Sequence, residues 1–98
     1  MQKPLRAQLP RTLEAAQAIA LQGLAFLAEE AGRLQRFVTV TGLELAELRA
    51  RADTPELQRA VLEHLAGDES LLLVFAASRG IAPGAVAPAI ALLEGPAS

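Results

Sequence analysis

The chain has 98 residues, 52% of them hydrophobic and mostly Ala or Leu, with a net charge of −2 and a pI near 5.3. It holds no Cys, Trp, Tyr or Asn, and a single His (His64), Lys (Lys3) and Met (Met1). This allows one domain around one core, excludes a disulfide framework or a thiolate zinc site, and gives no global field toward nucleic acid or anionic lipid.

Residues 1–11 carry Lys3, Arg6 and Arg11 with two prolines and no acid, and read as a flexible basic arm. A single helical domain is expected over 12–94, and a disordered tail over 95–98. Thr12 is an N-cap for a first helix over about 13–30. Leu13, Ile19, Ala20, Leu24, Phe26 and Leu27 form a wide apolar arc at 100° per residue, as in a central helix with several neighbours. The apolar stretch Ala18–Ala28 is broken by Gln22 and is too short for a span of about 20 residues. Glu29 and Glu30 follow where a signal peptide needs small residues, so the expected location is cytoplasmic.

A second helix over about 32–41 faces inward with Leu34, Phe37 and Val38 and ends at Gly42. A third, about 44–52, presents Leu45 and Leu48, with Arg49 and Arg51 late, where the helix dipole favours them. Thr54-Pro55 pairs an N-cap with a first-turn proline and starts a fourth helix running to about Ala66. Gly67-Asp68 separates it from a fifth, about 69–79, which ends at Gly80. Pro88 cannot donate an interior helical bond, so a turn over 83–87 and a short last helix from Pro88 to Glu94 are expected.

The pattern repeats weakly at an offset of 38 residues. Leu24, Leu27, Ala28, Leu34, Phe37 and Gly42 recur as Leu62, Leu65, Ala66, Leu72, Phe75 and Gly80. Two similar three-helix units would produce such an echo. The copies differ where Arg33, Gln35 and Arg36 become Leu71, Leu73 and Val74, which leaves the fifth helix apolar on all sides. Such a helix is either the most buried of the bundle or the carrier of an exposed patch for self-association or a partner.

Few residues offer chemistry. His64 lies at the edge of an apolar face, with Asp68 at i+4 the one acid on its helix side. It reads as a boundary histidine near a helix end. An enzyme would need it in a cleft beside a carboxylate. Glu44 and Glu47 have the i, i+3 spacing of carboxylate metal helices, but one His cannot complete that set, and they read as a solvated face. The glycines match no phosphate-binding loop. Phe37–Arg51 loosely resembles a helix-turn-helix, with Val38 where a small residue is usual and with Glu44 and Glu47 opening the second helix toward phosphate. No catalytic, cofactor or metal residues are expected.

Ala20-Leu21-Gln22-Gly23-Leu24-Ala25-Phe26-Leu27-Ala28, Leu34-x-x-Phe37, Thr41-Gly42-Leu43 with Ala46-Glu47-Leu48-Arg49, and Leu71-Leu72-Leu73-x-Phe75 together resemble a small all-helical proteobacterial protein family of unknown function. The resemblance covers about residues 12–93. It implies an all-helical protein and carries no activity or site. It also implies a single last helix after Gly80, from which Pro88 departs.

The expected fold is an all-α, compact orthogonal bundle of five or six short helices, with the first and fifth central. The expected core is Ile19, Leu24, Leu27, Leu34, Phe37, Leu48, Val61, Leu62, Leu65, Leu72, Phe75 and Val86. The expected function is that of a small protein-interaction or adaptor module without catalysis, binding itself or a protein through Leu71, Leu73 and Val74. An accessory nucleic-acid binder using Lys3, Arg6, Arg11, Arg33 and Arg36 is the alternative.

Overall fold

Capping side chains set most of the helix starts. The Thr12 hydroxyl accepts from Ala15 N–H at 3.0 Å, the Thr54 hydroxyl from Leu57 N–H at 3.3 Å, and the Asp68 carboxylate from Leu71 N–H at 3.1 Å. Each satisfies one of the orphan donors at a helix N-terminus. The computed structural model describes residues 9–95. They form α1 (Leu13–Ala28), α2 (Ala31–Thr41), α3 (Leu45–Arg51), α4 (Pro55–Ala66), α5 (Glu69–Arg79) and α6 (Val86–Glu94). A 3-10 turn, Pro83–Ala85, leads into α6, and no strand occurs among the described residues. The proposed basic arm lies outside the described residues up to position 8, as does the proposed tail from position 96.

α2 and α5 end alike. Gly42 (φ 75°) and Gly80 (φ 66°) are both left-handed, and each donates its N–H to the carbonyl four residues back, Val38 and Ala76. A Cβ at such a φ is strained. α3 carries a device that the sequence reading missed. Glu44 caps it while the Glu47 carboxylate accepts from Glu44 N–H at 3.0 Å, so the two acids close a capping box.

The core is built where α1, α4 and α6 pack on one another, with α2 and α5 flanking them. α5 is therefore not central, and α6 takes that place. The buried side of α1 is Ala16, Ala20, Gly23, Phe26 and Leu27, while Leu13 and Leu21 are about half exposed. The large residues of the expected arc misplaced its centre. Small residues face the core here because α4 comes very close. A Cβ on Gly23 would stand 3.0 Å from Leu65 Cδ1 and 3.1 Å from Val61 Cγ1. Of the expected core, Leu27, Phe37, Leu48, Val61, Leu62, Leu65, Phe75 and Val86 are buried. Ile19, Leu24, Leu34 and Leu72 pack against that cluster only in part.

The last helix starts at Val86 rather than Pro88. Pro88 is its third residue, where the N–H has no intrahelical acceptor, so proline removes no bond. The α5 axis and the segment Pro83–Glu94 are bent by 104° from one another, the near-perpendicular geometry of an orthogonal bundle. Among the described residues no single helix is long and apolar enough to cross a membrane.

The 38-residue echo has a spatial counterpart. Phe26 meets Phe75 with ring centroids 5.4 Å apart, and His64 meets Phe37 at 5.2 Å. The offset converts Phe26 to His64 and Phe37 to Phe75, so each pair is the image of the other. α1 thus meets α5 through a ring contact like the one by which α4 meets α2. The likeness stops at the third helix, because α6 lies in the centre and α3 at the periphery.

Candidate functional site

α5 is held by one side and open on the other. Phe75 is fully buried against Phe26, and the Arg79 guanidinium donates to the Glu29 carboxylate at 2.6 Å, fastening the end of α5 to the end of α1. Leu71 and Leu72 are half-buried against the core. Leu73 and Val74 point away, each 49% exposed. The exposed-patch alternative therefore describes these two residues, while Leu71 belongs to the inner side.

Leu73 is also the wall of a shallow groove of about 510 Å³ that continues over Ala77, Gly80, Ile81 and Pro83. Residues 73, 76, 77 and 80 share one stripe by their i, i+3, i+4, i+7 spacing, and all but Leu73 are small. The face thus offers a projecting leucine beside a hollow, and no charged residue lines it. The sequence reading found the leucine and valine but not the hollow. Its signal was the run of small residues on the same stripe as Leu73, which looked like ordinary helix composition.

α2 supplies an internal comparison. Its residues at the positions of Leu73, Val74 and Ala77 are Gln35, Arg36 and Thr39, all exposed. Gln35 Nε2 donates to Thr39 Oγ1 at 3.4 Å. The three matched positions are thus polar on α2 and apolar on α5, although Val40, farther along α2, is itself 66% exposed.

His64 sits at the seam of α4 and α2. Its Nε2 is buried without a hydrogen-bond partner among the described residues, and its ring is set nearly perpendicular to Phe37. Burial pushes the imidazole below its ordinary pKa, the Arg36 guanidinium pushes the same way, and the Asp68 carboxylate opposes them. Among the described residues no carboxylate is hydrogen-bonded to it.

Among the described residues, the basic side chains of the expected patch do not form one cluster. Lys3 and Arg6 lie outside the described residues. Arg11 precedes α1, whereas Arg33 and Arg36 follow its far end, roughly 24 Å away for a 16-residue helix. Arg33 is engaged by Glu30 at 3.3 Å and lies 4.0 Å over the Phe26 ring.

A second groove, about 320 Å³, separates α3 from α1 and α2, with Arg49 its one charged lining residue. It was not anticipated, because its walls come from three helices whose arrangement no local pattern encodes.

Residues 13–96 match the protein-family model described as "Protein of unknown function (DUF3572)". No curated protein and no solved structure matches the chain.

Proposed function

The chain belongs to the DUF3572 family of proteins of unknown function, and we propose that it serves as a protein-interaction module whose docking surface is the outward face of α5. The observation that carries this reading is the exposure of Leu73 and Val74 beside an apolar hollow, where the matching α2 positions, Gln35, Arg36 and Thr39, are polar. Apolar surface left in water is unfavourable, and a contiguous patch is a mark of association.

The occupant is a second copy of the chain. A two-fold interface must be self-complementary, with each surface supplying both what projects and what receives. One α5 face holds both, the Leu73 side chain and the hollow over Ala77 and Gly80. An antiparallel pairing of two α5 helices places each leucine in the other's hollow and opposes the two helix dipoles.

Light scattering across a wide concentration range tests this. Wild type should shift from monomer to dimer. Leu73→Glu should stay monomeric with an unchanged helical circular dichroism spectrum, weakening association more than about tenfold. Gln35→Glu, at the matching place on α2, should dimerise like wild type. A wild-type chain that stays monomeric throughout would remove the second copy as the occupant.

A further inference from the structure

We propose that the groove between α3 and the α1–α2 pair is a binding site for an aliphatic carboxylate, with the alkyl chain between the helices and the head group on Arg49. The site is distinct from the α5 face and does not depend on it.

The cleft exists because α3 stands apart. α6, its counterpart in the second half, packs along both α1 and α4, whereas α3 makes no extensive contact with either. Leu62, Leu72 and Val86 in the second half correspond to Leu24, Leu34 and Leu48 in the first. Leu48 and Val86 are both buried, and Leu34 and Leu72 are both partly so; the halves differ at Leu24, partly exposed where Leu62 is sealed, and at Leu45 on the α3 wall, which is 56% exposed. On α3, Leu45, Leu48, Arg49 and Ala52 follow the i, i+3, i+4, i+7 spacing of a single stripe, so the exposed Arg49 lines the groove beside apolar neighbours.

Charge and size select the ligand. No acid lines the groove, and Arg49 has no ion pair among the described residues. Glu29 is engaged with Arg79, Glu30 with Arg33, and Glu47 with the α3 cap, while Asp53, four residues past Arg49, forms no ion pair with it and does not line the groove. A planar guanidinium left over beside apolar walls matches a carboxylate, which it can bind through two parallel hydrogen bonds. The groove, about 320 Å³, has room for an alkyl chain between the helices. The small-molecule sites of proteins share this plan, apolar walls with few polar groups that fix orientation.

The test uses the full chain, with leucine methyls followed by NMR during titration with decanoate below its micelle concentration. Saturable shifts are expected at Leu24, Leu34, Leu45 and Leu48, with Leu73 unmoved. Arg49→Gln should weaken binding roughly tenfold, as loss of a charge-assisted hydrogen bond does. Ala28→Leu, at an exposed position on the groove wall, should block it while the helical spectrum is retained. Decyltrimethylammonium, with the same tail and opposite charge, should leave the groove methyls in place. Absence of saturable shifts, shifts centred outside the groove, or equal binding of the cationic amphiphile would overturn the proposal.

Discussion

Phe75 and Phe37 are each fully buried and each pack on an aromatic ring of a neighbouring helix. Truncation of either to Ala should cost about 3–5 kcal/mol, a large part of the stability of a domain this size; denaturant unfolding measures it. His64 behaves differently because its ring is both core and titratable. Its folded pKa lies below the ordinary imidazole value of 6.5 through burial first and Arg36 second. The unfolded chain therefore takes up the proton first. The stability linked to this residue is present above about pH 6.5 and is lost as pH falls through the folded value. His64→Phe, which copies the residue at Phe26, removes the orphaned nitrogen along with the titration. The variant should lose less melting temperature than wild type between neutral and mildly acidic pH, and an equal loss in both would show that His64 is not responsible. The phenylalanines were legible in the sequence because large apolar residues at helical spacing point inward. The buried nitrogen of His64 was not, because which ring edge is covered depends on α2.

At the scale of the element, local chemistry was readable and packing partners were not. Thr12, Thr54-Pro55 and Gly67-Asp68 announced three helix starts, and Gly42 and Gly80 two ends, because capping depends on neighbours within a few residues. The buried face of α1 followed that logic in part: Ala20, Phe26 and Leu27 were expected, whereas Ala16 and Gly23 were not, because the value of Gly23 lies in the room it leaves for α4. Gly23→Val should destabilise the fold by about 1–3 kcal/mol through overpacking against Val61 and Leu65, despite removing a glycine from a helix interior. Unchanged unfolding would mean that α1 and α4 lie farther apart than described here. The same blindness to partners explains the fifth helix. Its all-round apolarity suits burial as well as docking, and only the placement of α6 in the centre leaves Leu73 and Val74 outside.

The whole molecule is an all-helical bundle in which α6 and α3 occupy very different places. α6 closes the core between α1 and α4, while α3 stays at the edge and leaves a cleft. That divergence accounts for the position of both candidate surfaces. It was invisible in the sequence, where the 38-residue echo treats α3 and α6 as equivalents. The all-α class, by contrast, followed from helical periodicity and glycine stops in every segment.

Cross-linking through an introduced thiol tests the α5 reading most directly, because the native chain contains no cysteine. Ala77→Cys and Thr39→Cys place a thiol at matching, exposed positions of α5 and α2. A disulfide requires Cα atoms about 4.4–6.8 Å apart, a separation that an antiparallel pairing of two α5 helices brings within reach near its centre. Mild oxidation should convert Ala77→Cys rapidly to a covalent dimer and leave Thr39→Cys largely monomeric. Equal rates for the two variants would mean random collision and would contradict a docking surface on α5.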